Sequence, residues 1–502
     1  MGGGESGGGA LLASLGLGVV AACAFAAFRL TRGEKEESIL DQLNALYDEL
    51  PHVAEAKDVL GIELDEKRYV ELMEKLIGEA KFVQNFPPEL VPEEGRVIKH
   101  LLDILEPHSA KNGGPLEIEV VEYAKGRGNV IIKYKGTGPK TIGMIGSHLD
   151  VVPANPDTWE RDPFKLFKEG DKLYGRGTTD CLGHVGLLTL FMESLAIKKP
   201  SLESSVIVVF IASEEATSAP GLGVDGLMAN GKLEELKHGA CLWIDASDSE
   251  PCCGTAGAIQ WHLRAHGKRF HSGLPHMAIN PIELANDALA QMQARFLKDF
   301  GPVPEEKRYS FMTPSTFKPT QISCSKGGLN QIPPMCTISG DIRLTPFYDA
   351  HKVIAALKQY VQELNNSKFS ALKSRGPCSK YELPAEDLVG RLEIEFGHEM
   401  DGSELVEGVA CDLKSPGFLA LSDAIKRVRG SVKPYSICGS LPLVANMKRE
   451  GFDIQIAGFG RSDAYHAENE YSLLSDMADA AKILSSFVSK VEAHHKSSGV
   501  KN

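Results

Sequence analysis

The chain has 502 residues, 43% hydrophobic and 24% charged, a composition that supports folded cores and excludes a disordered or collagen-like chain. At about 150 residues per domain, that length suggests two or three domains. The net charge of −13 excludes a nucleic-acid-binding surface, and 10 cysteines without close regular spacing argue for reduced thiols in an intracellular compartment rather than a disulfide scaffold.

Residues 1–33 stand apart by composition. Gly2-Gly3-Gly4 and Gly7-Gly8-Gly9 read as linker. Residues 10–28 form an uncharged, mostly apolar stretch of 19 residues, followed by Arg29 and Arg32. That is near the lower length limit for a membrane-spanning helix, and the trailing positive charge favours a cytoplasmic carboxyl side. The stretch reads either as a membrane anchor or as a targeting piece that is cleaved or disordered. Residues 34–65 look helical and charged, as a spacer would.

Four short apolar runs then end in metal-binding side-chain types. Thr141-Ile142-Gly143-Met144-Ile145 leads to His148-Leu149-Asp150, and Val206-Ile207-Val208-Val209-Phe210-Ile211 leads to Glu214-Glu215. Ala240-Cys241-Leu242-Trp243-Ile244 leads to Asp245, and Asp453-Ile454-Gln455-Ile456-Ala457 precedes His466. Runs of this kind read as buried parallel strands. Ligands of open α/β sheets bind beyond the carboxyl ends of the strands. The expected fold class is therefore α/β, a mostly parallel sheet flanked by helices, with His148, Glu214, Glu215, Asp245 and His466 delivered to one edge.

Adjacent carboxylates such as Glu214 and Glu215 are costly to bury unless a cation offsets them. The bland reading is a solvated loop start. His148 is of the commonest transition-metal ligand type, and Asp150 is placed to accept its other ring N–H. Asp180 lies in the loop Gly175-Arg176-Gly177-Thr178-Thr179-Asp180-Cys181, ahead of a helical pattern over residues 183–198. It is either a helix cap or a carboxylate shared by two cations. Cys181 is read as a packing residue, because an activated water already supplies the nucleophile.

Asp245 and His466 are 221 residues apart, whereas the earlier candidates are spaced by 30 to 35, so a segment is inserted there. Its pattern predicts a strand over 257–266, a helix over 280–297, strands over 318–324 and 335–344, a helix over 350–364 and a strand over 392–396. That β-α-β-β-α-β order is ferredoxin-like. Gly221-Leu222-Gly223-Val224-Asp225-Gly226 matches the dinucleotide fingerprint by letter, but no strand directly precedes it and no P-loop lysine motif occurs, which sets nucleotide binding aside.

The ordered set His148-x-Asp150, Gly-Arg-Gly-x-x-Asp180, Glu214-Glu215, Asp245 and His466 resembles the zinc-dependent amidohydrolases and peptidases that include aminoacylase, glutamate carboxypeptidase, succinyl-diaminopimelate desuccinylase and acetylornithine deacetylase. Within that family, Gly177-Thr178-Thr179-Asp180-Cys181-Leu182-Gly183-His184, Asn330-Gln331-Ile332-Pro333 and Tyr465-His466-Ala467-Glu468-Asn469-Glu470 are similar to the plant-type acetylornithine deacetylases. Many relatives carry Asp-Met-Lys-Gly where this chain has Asp180-Cys181-Leu182-Gly183.

The resemblance implies two divalent metal ions per subunit, Zn²⁺ or Co²⁺. Asp180 would bridge them, His148 and Asp245 would complete one site, and Glu215 and His466 the other. Asp150 would orient His148, and Glu214 would be the general base on the attacking water. The insert would be a lid that mediates homodimerisation. His271 would reach a partner's active site and stabilise the developing oxyanion, Asn330 and Arg343 would bind the substrate carboxylate, and Gly439 would form a small-residue turn beside the substrate.

The expected organisation is then a catalytic domain over 66–256 and 402–495, an inserted lid over 257–401 and a tail over 496–502. The implied activity is deacylation of a small N-acyl amino acid, most sharply N2-acetyl-L-ornithine to ornithine and acetate in arginine biosynthesis, in the cytoplasm or a plastid. An aminoacylase, a dipeptidase and a non-catalytic binding protein on the same fold are the alternatives.

Overall fold

The computed structural model describes residues 38–216, 220–372, 381–401, 405–441 and 443–499. The apolar stretch at 10–28 and the glycine triplets lie outside these residues. Among the described residues, no helix is long and apolar enough to cross a membrane.

Nine strands form the larger sheet. Its path runs Leu116–Ala124, Arg127–Tyr134, Ser205–Phe210, Thr141–Ile145, Ala240–Ile244, Asp453–Ala457, Cys252–Thr255 and Val409–Ala410, with Tyr435–Ile437 pairing Cys252–Thr255 off the path. The four strands at its centre, Ser205–Phe210, Thr141–Ile145, Ala240–Ile244 and Asp453–Ala457, are mutually parallel. The first three are buried at every position. Helices cover both faces, so only apolar side chains are cheap on either side, and the β-branched run Val206-Ile207-Val208-Val209 meets that demand.

On one face the strands pack with the helices Leu182–Lys198, Leu474–Gly499, Glu66–Glu79, Gly95–Leu105 and Pro416–Arg429 in a single apolar core. On the other, Trp243, Val209 and Ile456 pack with Val224–Ala229 and Val444–Arg449. Leu182–Lys198 is buried along nearly its whole length, which explains why it is apolar all round rather than striped.

Residues 34–65 were expected as a spacer, but those described from Ile39 onward are packed into the fold. Helices Ile39–Glu49 and Pro51–Glu55 bury Leu43, Leu46 and Val53. The ammonium of Lys490, itself buried, donates to the carbonyls of Val53, Ala54 and Ala56 at 3.1–3.2 Å and pairs with Asp423 at 2.7 Å.

The inserted segment builds its own sheet, in the order Thr316–Cys324, Met335–Leu344, Gly257–His266, Arg391–Phe396, antiparallel throughout. Helices Pro281–Asp299 and Ala350–Asn366 cover one face, with Trp261, Leu263, Met292, Phe296, Ile342 and Leu357 between. The two central strands alternate buried residues with half-buried or exposed ones, as a sheet covered on one side does.

Candidate metal centre and active site

The four parallel strands end at one edge of the sheet. Past Thr141–Ile145, Gly146 takes φ +100°, and a Cβ there would meet the Trp243 ring at 2.8 Å, so only glycine lets the chain turn against that ring. His148 follows and forms a parallel bridge with Ile211, the first residue past Ser205–Phe210. Glu214 and Glu215 come directly after Ile211-Ala212-Ser213, with Ser213 at φ +56°. Asp245 is the first residue beyond Ala240–Ile244. Asp180 arrives from the loop before Leu182–Lys198, and His466 from the turn after Asp453–Ala457.

Asp180 stands between the two histidines. Its Oδ1 is 2.9 Å from His148 Nε2, and its Oδ2 is 3.0 Å from His466 Nε2. Asp245 Oδ1 lies 3.7 Å from His148 Nε2, and Glu215 Oε2 lies 3.2 Å from His466 Nε2. Two groups of donor atoms result. One is His148, Asp180, Cys181 and Asp245, the other Asp180, Glu215 and His466, and within each group all atoms lie within 4.8 Å of one another. Glu214 Oε2 reaches to 4.0 Å from His148 Nε2.

The electrostatics of the pocket are those of a site short of positive charge. Burial, with Glu215 and Asp180 adding repulsion and His148 opposing it, pushes Glu214 up to about 8. Burial and then Asp180 push Glu215 up to about 7, and the same two causes push Asp245 well above the ordinary carboxylate value. Burial also acts on Asp180, but hydrogen bonds from His148 and His466 outweigh it and hold Asp180 below the usual range. The bonds of His466 to Asp180 and Glu215 push it up to about 10. Glu215 Oε1 is buried with no hydrogen-bond partner. Divalent cations would relieve this crowding and occupy that free oxygen, so the residues present fit a pair of metal ions.

The surrounding residues hold the ligands in place. His148 Nδ1 donates to the backbone carbonyl of Asp150 at 2.8 Å, whereas the Asp150 carboxylate is 3.5 Å away. That carboxylate accepts instead from the amides of Glu214 and Glu215 at 3.1 and 3.0 Å and from Asn85 Nδ2 at 2.7 Å. Asp150 thus steers the histidine with its main chain and the Glu-Glu pair with its side chain.

Glu470 is fully buried, and sequence reasoning gave it no role. It accepts from the amides of Gly177, Thr179 and Asp180 at 2.9, 2.7 and 3.0 Å and from Arg176 Nη1 at 2.7 Å. It ties the loop of Asp180 to the segment of His466. The only signal in the sequence is a glutamate four residues after a candidate ligand histidine.

The expected substrate residues lie on or beside the insert. His271 is exposed, sits opposite Gln331 in a two-stranded ladder, and its Nδ1 accepts from Gly273 N at 3.0 Å. The Asn330 carbonyl accepts from Ser272 N at 2.9 Å, so His271 and Asn330 belong to one small structure. Arg343 lies on the open face of the insert sheet and donates from Nε to Asp341 at 2.5 Å. The Gly439 carbonyl accepts from Ala256 N at 2.9 Å, at the root of the insert. Among the described residues, none of these four makes a hydrogen bond or ion pair with the metal-site residues.

The model of the family described as Peptidase family M20/M25/M40 matches residues 144–490. The chain belongs to that family. It is a metal-dependent hydrolase, and the M20/M25/M40 match spans every candidate ligand from His148 to His466. An acetylornithine deacetylase of Arabidopsis thaliana is 53% identical over 431 residues, covering 86% of this chain and 96% of that protein. An acetylornithine deacetylase of Dictyostelium discoideum is 49% identical over 446 residues, covering 87% and 99%. Human carnosine dipeptidase 1 matches in fold at a TM-score of 0.59 and 16% identity, over 90% of this chain and 98% of that one.

Proposed function

We propose that the chain hydrolyses the acetyl amide of N2-acetyl-L-ornithine, releasing ornithine and acetate as a step of arginine biosynthesis. The observation that carries the substrate is the 53% identity to the Arabidopsis acetylornithine deacetylase, sustained over 86% of this chain. His148, Asp180 and Asp245 would hold one divalent cation, and Asp180, Glu215 and His466 a second. Imidazole and carboxylate ligands suit Zn²⁺ or Co²⁺. Two such ions supply polarisation of the amide carbonyl and a water acidic enough to attack at neutral pH.

Glu214 is the proton carrier in this reading. Its carboxylate, 4.0 Å from His148 Nε2 at the edge of the ligand cluster, is placed to take a proton from the attacking water and pass it to the departing amine. The amide of Glu214, held by the Asp150 carboxylate, keeps that side chain at the pocket edge. Arg343 would exchange its contact with Asp341 for the substrate carboxylate, beside Asn330 and the Gly439 turn, because a guanidinium fork matches a carboxylate. His271 is exposed and free of the metal cluster, which supports its action across a homodimer formed through the insert, with the partner subunit's His271 donating to the oxyanion.

The test is Glu214→Gln. Metal analysis should find two ions per chain in both proteins, and kcat for acetylornithine should fall about 10²–10⁴-fold in the variant. Activity within about tenfold of the parent, with metal bound, would overturn Glu214 as the proton carrier. A panel of N-acyl amino acids assayed on the parent protein tests the substrate, and a preference for another acyl amino acid or a dipeptide would displace acetylornithine.

A further inference from the structure

Cys181 is the one member of the metal cluster without a part in the reading above. Its Sγ belongs with His148, Asp180 and Asp245 to a group whose donor atoms all lie within 4.8 Å of one another. The residue is fully buried. A buried cysteine kept only for packing would sit against hydrocarbon, whereas this sulfur shares its surroundings with an imidazole and two carboxylates.

The sulfur has two further polar neighbours, the Ile244 carbonyl, to which the thiol donates across 3.7 Å, and His184. Phe459 N donates to His184 Nε2 at 2.8 Å, so Nε2 is the acceptor and the ring hydrogen is on Nδ1. Nδ1 then donates to Cys181 Sγ across 3.3 Å. An N–H donated to the ligand atom is the outer support that metal-ligating side chains usually carry. His184 is wholly buried and is spent on this one relay between the Phe459 backbone and the sulfur.

We infer that Cys181 Sγ is a fourth ligand of the cation held by His148, Asp180 and Asp245, an inference that rests on the two-metal reading. In a tetrahedral zinc site, Zn–S near 2.3 Å and Zn–N or Zn–O near 2.0–2.1 Å place the sulfur about 3.6 Å from each other donor atom. The present bound of 4.8 Å contracts to that with side-chain movements of about an ångström. The thiol proton leaves to solvent as the cation enters, which keeps the proton count balanced. The two sites become unlike. The one with sulfur is enclosed, with no position left for water, and the one with Asp180, Glu215 and His466 is half open at His466, whose side chain is 55% exposed, and would be the one to hold the attacking water. The enclosed site fills first and holds its ion more tightly.

X-ray absorption at the zinc edge, on the full chain loaded with one and then two equivalents of Zn²⁺, tests this. With one equivalent, a sulfur scatterer near 2.3 Å is expected, and the Co²⁺ protein should show a near-ultraviolet sulfur-to-cobalt charge-transfer band. Cys181→Ser should lose both signals and weaken the tighter site about tenfold or more. If the serine variant does not fold, the parent spectrum decides alone, because Cys181 is the only cysteine in either donor group among the described residues. Two bound ions with only nitrogen and oxygen scatterers overturn the inference and leave the two-metal reading standing. A chain that takes up no metal overturns both.

Discussion

Replacing Glu470 by glutamine perturbs the frame of the site rather than its donor atoms, because Glu470 binds backbone amides and Arg176 and no ligand side chain. One carboxylate oxygen receives Thr179 N and Asp180 N at 2.7 and 3.0 Å, and the other receives Gly177 N and Arg176 Nη1 at 2.9 and 2.7 Å. Whichever way the new amide turns, its NH₂ faces two donors. Two charge-assisted hydrogen bonds are lost, at about 1.5–3 kcal/mol each. Arg176, 2% exposed, also loses its counter-charge, and breaking a buried pair costs about 3–5 kcal/mol. These figures count overlapping contacts, so the expected loss of folding free energy is about 3–5 kcal/mol in total.

The lost bond to the Asp180 amide also frees the bridging carboxylate, and metal affinity should fall about 10–100-fold. Urea unfolding followed by tryptophan fluorescence measures the first effect, and competition with a chromophoric chelator the second. An unfolding midpoint and metal affinities indistinguishable from the parent would refute the reasoning, since they would mean that the loop keeps its shape without the clamp.

Stripping the metal with a chelator should lower the melting temperature, because Glu214, Glu215 and Asp245 then share a buried pocket with too little positive charge. A metal at 100 times its Kd restores about 2.7 kcal/mol, so scanning fluorimetry with and without added Zn²⁺ should show a clear shift, and identical curves would count against any metal site. Acidification should loosen the carboxy-terminal helix. Burial, then repulsion from His494 and Lys140, pushes His495 down to about 4, against an ordinary value of 6.5, with Glu492 opposing. The unfolded chain therefore takes the proton first, and the contribution of His495 is complete above about pH 6.5 and is lost as the pH falls towards 4. His495→Gln, which retains a hydrogen-bonding group for Ser204 Oγ, should flatten the pH dependence of unfolding between about 6.5 and 4.5, and an unchanged slope would assign it elsewhere.

The residues of the central strands were legible in the sequence because a parallel strand covered on both faces has almost no alternative to β-branched and aromatic side chains. The candidates at their ends were legible for the same reason. His148, Glu214, Glu215 and Asp245 are polar residues set directly against apolar runs, where an unpaired charge is costly. The helix and strand order of the insert followed from its change of hydrophobic period, and the elements lie within a few residues of the expected ones, as with Pro281–Asp299 against 280–297.

Contacts between distant segments were not legible. Glu470 lies some 290 residues from the amides it binds, and nothing in its own neighbourhood marks it as their acceptor. Lys490 reads as one more charge on an amphipathic helix, yet it holds three carbonyls of residues 53–56 in the interior. Asp150 is placed by sequence to serve its near neighbour His148, but its side chain is drawn to two amides more than sixty residues on. Cys181 is apolar enough to pass for filler until its neighbours are known.

The sequence by itself determined which segments are buried and which acidic and imidazole groups they present, because burial acts residue by residue and leaves a local pattern of polarity. Only the tertiary structure decided which oxygen faces which nitrogen, which carboxylate serves as support and which sulfur looks inward. A hydrogen bond depends on a few tenths of an ångström between atoms brought together by the whole fold, and local composition carries no record of that distance.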